Sequence, residues 1–169
     1  MAEAFADFAV GIFQGKVPSE LIVFLISMLP VVELRGGMIA AKLLEVDFWP
    51  AFFICYVGNL LPLPFILLFI RRIFDYLRHK KGFQRLIEKL EIRSARKSEK
   101  AMRWKGLGLL LFVAIPLPGT GGWTGALIAA LMDMRIKSSL PIIAVGVLIA
   151  NLIMSAISYG LLGALGIGG

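Results

Sequence analysis

Met28-Leu-Pro-Val-Val-Glu-Leu-Arg-Gly-Gly37 is the stretch on which the reading of this chain turns. It lies inside an apolar run from Leu21 to Leu44, yet it carries a carboxylate, a guanidinium, a proline and two adjacent glycines. A charged residue near the middle of a bilayer span costs roughly 2.5–3.5 kcal/mol on insertion scales, so Glu33 and Arg35 need a use or a partner. Pro30 removes a backbone donor and disfavours helix at Leu29, and Gly36-Gly37 loosens the chain again. The stretch predicts a helix that breaks at membrane depth and exposes polar groups there.

Composition supplies the bilayer. Of 169 residues, 59% are hydrophobic, and the mean hydropathy is +0.85. That is too apolar for a soluble domain and predicts an all-α integral membrane protein forming a single domain. The single cysteine, Cys55, excludes an intramolecular disulfide and a multi-cysteine metal site. Residues 1–14 carry acidic Glu3 and Asp7 and no basic segment, so no cleavable signal peptide is expected. The formal net charge of +7 is concentrated: residues 71–105 hold thirteen Lys or Arg against four Asp or Glu. Positive-inside topology accounts for this block and places it in the cytoplasm of a prokaryotic-type cell, with no need for a nucleic-acid partner.

Working outward, Phe5, Phe8, Ile12 and Phe13 fall near one helical face, which suits a short interfacial helix. Pro18-Ser19 opens the next helix. Beyond the polar turn Glu45–Pro50, in which Asp47 is a turn or cap residue and Trp49 an interface anchor, an apolar run covers residues 51–70. Pro62 and Pro64 should kink it. Within the basic block, Phe83, Leu86, Ile87 and Leu90 recur at helical spacing, so part of it is expected to form an amphipathic helix. A third run, 107–132, carries a second break, Ala114-Ile-Pro-Leu-Pro-Gly-Thr-Gly-Gly-Trp-Thr-Gly125, and a fourth covers 140–165.

The chain therefore divides into a half at about 19–71, a linker at 71–105 and a half at about 106–165. Each half has an apolar arm, a proline-containing break, a Gly-Gly pair, a small-residue arm, an Asp-containing turn and a long apolar run. If the broken runs span fully, both termini are cytoplasmic. If they are re-entrant, only 51–70 and 140–165 cross, the halves are inverted and both termini lie outside. The re-entrant reading is preferred, because backbone irregularity at membrane depth needs cover and two facing breaks supply it.

Glu33-Leu-Arg-Gly-Gly37 and Pro116-Leu-Pro-Gly-Thr-Gly-Gly-Trp-Thr-Gly125, separated by a basic linker, resemble the small multidrug export family of prokaryotic membrane proteins. That family is similar to the larger DedA (VTT) superfamily. The resemblance implies an inverted pair of re-entrant hairpins with spanning helices, and an association with moving lipids, including polyprenyl phosphate carriers. The second motif differs from the DedA pattern, with glycine and threonine where arginines are usual.

The residues themselves point to an anion site. A broken helix presents free N–H groups and the positive dipole end of its second arm, expected here near Gly37 and near Gly122. Gly119-Thr-Gly-Gly122 can fold its N–H groups into a concave nest, and Arg35 adds a donor fork suited to phosphate or carboxylate. Glu33, a carboxyl that desolvation and Arg35 push in opposite directions, is a candidate proton carrier.

Candidate binding residues are Glu33, Arg35, Gly36, Gly37, Pro116, Gly119, Thr120, Gly121, Gly122, Trp123, Thr124, Asn59 and Asn151. The competing reading is that Glu33 and Arg35 pair with one another or with backbone groups and lock the hairpin. For Asn59 and Asn151, interhelical hydrogen bonding is the preferred role. No metal, cofactor or enzyme signature emerges.

The expected function is secondary transport or flipping of an anionic small molecule or a polyprenyl phosphate-like lipid. Membrane lipids are the expected surroundings, a proton or Na+ is an admissible coupling ion, and a homodimer is compatible with the chain. The alternatives are export of lipophilic cations, or a non-transporting membrane scaffold.

Overall fold

In the computed structural model, the structure describes residues 17–78, 99–117, 119–132 and 134–161. The expected helices at residues 2–14 and 83–90 lie outside them. Within them the chain is all-α: α1 (Ser19–Met28), α2 (Glu33–Leu43), α3 (Phe48–Leu60), α4 (Leu63–Arg78), α5 (Glu99–Ala114), α6 (Gly122–Leu131) and α7 (Ile136–Ser155). The last runs on into a π-helical stretch, Ala156–Leu161.

Both breaks fall where the prolines place them. α1 ends at Met28, two residues before Pro30, and α5 ends at Ala114, two residues before Pro116. Pro62 lies in the two-residue interruption between α3 and α4. One expectation needs correction: the second arm of the first hairpin starts at Glu33, not near Gly37. The reversal is made by Val31 (φ 77°) and Glu33 (φ 52°), so the chain turns before it reaches the glycines. Gly36 and Gly37 are ordinary helical residues. Their lack of a side chain serves packing, since a Cβ on Gly37 would run into Ser27 Oγ of α1 and lie 3.1 Å from Cys55 Sγ of α3.

Among the described residues, two stretches are long and apolar enough to cross a membrane: Phe48–Ile70, with 23 residues, and Ile136–Gly160, with 25. The apolar arms are short. Ser19–Met28, Lys105–Ala114 and Gly122–Leu131 are ten residues each, about 15 Å, or half of a hydrocarbon core.

Packing repeats between the halves. α1 lies against α2 and α3, and α5 lies against α6 and α7. α3 also packs on α7, while α4 packs on α6 and α2 on α7 and its π-helical end. The glycines give the register. Gly37 faces Ser27 and Cys55, and Gly125 faces Val113 and Ile143; Gly58 meets Phe24 O and Ser27, and Gly146 meets Leu110 O and Val113. The second arms and long helices thus correspond at a separation of 88 residues, the first arms at 86. The ends agree: Phe48 and Ile136 both open long helices, and Leu43 and Leu131 both close second arms.

One apolar core joins the halves, with Val23, Met38, Cys55 and Leu67 contributed by one and Val113, Ala126, Ile143 and Val147 by the other. The outside is apolar as well: Leu25, Phe53, Phe65, Phe69, Leu111 and Leu152 are more than half exposed. Water would make such a surface an association hazard, whereas lipid tails solvate it.

Candidate functional site

The first break inserts its two charges into the second. Glu33 is 4% exposed, and its carboxylate reaches the start of α6, where Oε2 accepts from Gly122 N–H at 3.2 Å and Oε1 from Trp123 N–H at 3.1 Å. These donors belong to the first turn of α6 and have no partner within their own helix. Gly121 makes the approach feasible: it sits at φ 150°, and a Cβ there would occupy the position of the Glu33 carboxylate.

Arg35, two residues along α2, donates Nη1–H to the carbonyl of Leu117 and Nη2–H to the carbonyl of Thr120, with a further bond to Thr120 Oγ1 at 2.9 Å. The Thr120 hydroxyl holds the same loop together, lying 2.6 Å from Ile115 O and 2.9 Å from Leu117 O and accepting from Leu117 N–H at 3.1 Å.

This arrangement complements the dipoles of the second break. The carboxylate stands at the positive start of α6, and the guanidinium stands against the carbonyls that follow α5. Both charges use backbone partners in the opposite hairpin, more than 80 residues away, and this contact closes the two breaks onto each other.

Of the other candidates, Gly121, Gly122, Trp123 and Thr120 belong to this contact. Pro116 is half-buried in the loop, and Gly119 (φ 83°) is exposed, with open space around it. Thr124 is half-buried in the first turn of α6. Gly36 and Gly37 stay outside the contact, packed against α1 and α3. Asn151 is fully buried and donates Nδ2–H to Phe52 O at 2.9 Å, tying α7 to α3. Asn59 is also fully buried, but neither of its amide atoms has a hydrogen-bond partner. It lies beside the site, 3.3 Å from the point where Gly122 would carry a Cβ.

Sequence reasoning passed over a groove beside this contact. Phe65, Ile66, Leu68 and Phe69 of α4, with Trp123 and Ile136, line an open space of about 890 Å³, and Arg72 is the charged residue in its wall. Phe65, Phe69 and Arg72 are spaced i, i+4, i+7 along one helix, a pattern visible in the sequence. Trp123 joins the two places, because its backbone N–H holds Glu33 and the residue also lines the groove. Its buried Nε1–H has no acceptor.

A family model described as "Putative small multi-drug export protein" matches residues 33–153, beginning at Glu33 itself and taking in Arg35 and the whole of the second break. The chain belongs to this family. No curated protein and no solved structure matches it significantly. As a member of the small multidrug export family with a lipid-compatible exterior and two apolar helices of spanning length, it is a membrane protein.

Proposed function

We propose that this protein is a secondary transporter or flippase for an anionic amphiphile, with a polyprenyl phosphate-like lipid as the type substrate. One observation carries the reading: the start of α6 already binds an anion, the carboxylate of Glu33, through Gly122 and Trp123 N–H. A substrate phosphate or carboxylate would take that place when Glu33 withdraws, and protonation of Glu33 is the simplest way to release it. The groove along Phe65, Phe69 and Trp123 suits the apolar tail, and Arg72 suits an anionic group passing the interface.

The topology proposed with it has two re-entrant hairpins in inverted halves, the basic linker in the cytoplasm and both termini outside. Arms of about 15 Å and the packing register at 88 residues support it. A cysteine at Ala2 in a Cys55→Ala background, probed with an impermeant reagent on intact cells, reports the side directly. Labelling that appears only after the cells are permeabilised would remove the inverted arrangement.

A second reading, export of lipophilic cations, is favoured by the family description and by a buried carboxylate beside an aromatic-lined groove. Reconstituted liposomes separate the two. Fluorescent dodecyl phosphate should be moved across the bilayer by the natural chain and not by Arg35→Ala. Transport confined to a lipophilic cation, abolished by Glu33→Gln and retained in Arg35→Ala, would establish the second reading instead.

A further inference from the structure

Asn59 is a side chain that the closed contact does not explain. A buried polar atom without a partner is rare in folded proteins, and this side chain leaves both amide atoms unpaired at 0% exposure. The architecture does not require an amide there. In the 88-residue register the corresponding position on α7 is Val147, equally buried and apolar. Asn151, one turn further along α7, shows what a structural asparagine does in this fold: its Nδ2–H is committed to Phe52 O. Asn59 instead borders Gly122, whose N–H holds the Glu33 carboxylate. A half-turn of its amide exchanges Oδ1 and Nδ2, so a donor can face that point.

We propose that Asn59 is a ligand-binding residue, the third donor of an oxyanion site at the start of α6. The site is shared with Gly122 and Trp123 N–H and takes a phosphoryl or carboxyl group once Glu33 has left. This rests on the reading of α6 as the headgroup site. A carboxylate offers two oxygens, and Glu33 spends one on each backbone N–H. A phosphoryl group brings a third acceptor oxygen, and Asn59 is placed to meet it. The third oxygen gives a phosphoryl ligand one more contact than a carboxyl ligand has to offer.

The test uses the full chain in phosphatidylcholine nanodiscs, with Trp49→Phe and Trp104→Phe so that Trp123 fluorescence reports the site. Glu33→Ala empties it. Inorganic phosphate and dodecyl phosphate are then titrated into Glu33→Ala alone and combined with Asn59→Val or Asn59→Thr. Valine and threonine share a shape and differ by one hydroxyl donor. Phosphate should bind Glu33→Ala, the valine should weaken it by roughly tenfold, and the threonine should restore most of the loss. Asn59→Val in the otherwise natural chain should melt no lower than its parent.

Binding of dodecyl phosphate alone assigns the site to a lipid headgroup, and equal binding of both probes assigns it to a free anion. Equal affinity in the valine and threonine variants overturns the role of Asn59 and leaves the headgroup site standing. A lower melting temperature of Asn59→Val with unchanged affinity makes Asn59 a structural residue. Failure of Glu33→Ala to bind either probe removes the headgroup site itself, and the role of Asn59 with it.

Discussion

The two breaks occupy corresponding places in their halves and are built from opposite materials. The first carries the charges, Glu33 and Arg35; the second carries backbone, left bare by glycine. In the packing register Glu33 corresponds to Gly121, so one hairpin supplies a carboxylate where the other supplies room for it. A repeat of like with like would have placed two carboxylates or two empty helix starts against each other. The asymmetry lets each break satisfy the polar groups of the other.

The largest expected effect comes from filling the room. Gly121→Ala places a Cβ where the Glu33 carboxylate lies, at a φ of 150° that side chains rarely adopt. Displacing a buried charge from its donors costs about 3–5 kcal/mol, so this variant should insert poorly or melt far below the natural chain in detergent. Gly37→Ala is the matched control in the first half. Its Cβ meets the Ser27 hydroxyl and lies near Cys55, a packing clash of about 1–3 kcal/mol that Ser27→Ala should largely relieve. Equal losses at the two glycines would mean that the breaks are not specialised in the way described.

The sequence makes the breaks and the interruption at Pro62 readable and singles out Glu33 and Arg35 as residues that need partners, because proline and buried charge have strong local consequences. It does not make the register readable. Gly36-Gly37 and Gly121-Gly122 look like equivalents, yet the first pair is spacing between helices and the second is an opening for a carboxylate. A glycine signals that a side chain is unwelcome without saying what would collide with it. In the same way Asn59 and Asn151 look like a pair, but they lie one turn out of register and only one is hydrogen-bonded. The partners of Glu33 and Arg35 lie 82 to 90 residues away, beyond the reach of any local spacing rule.

A middle-sized effect should follow at Arg35. Its guanidinium spans the carbonyls of Leu117 and Thr120 and the Thr120 hydroxyl, which a planar fork can do and a single ammonium cannot. Arg35→Lys should lower stability by about 1–3 kcal/mol, through carbonyls left without donors. If the pair merely balanced charge, lysine would serve almost as well, and Glu33→Gln with Arg35→Gln would keep transport largely intact. Thermal melts together with uptake into liposomes read both quantities. Near-normal uptake by the double variant would end the case for this pair as the site.

The smallest effect has the opposite sign and compares the two reversals directly. The first break turns through Val31 at φ 77°, the second through Gly119 at φ 83°. A β-branched residue in that region carries about 1–3 kcal/mol of strain, which glycine avoids, while glycine adds up to about 1 kcal/mol of chain entropy to be lost on folding. Val31 is 78% exposed, so replacing it removes little packing. Val31→Gly should therefore stabilise the protein by about 1 kcal/mol, a rise of a few degrees in melting temperature. Gly119→Val should do the reverse, and since a Cβ there meets nothing within 4 Å, its loss would come from the backbone alone. Should Val31→Gly lower the melting temperature, the exposed valine is making a contact with lipid that outweighs its dihedral. Should it raise stability but slow transport, the strain in the first break helps to release Glu33 from α6.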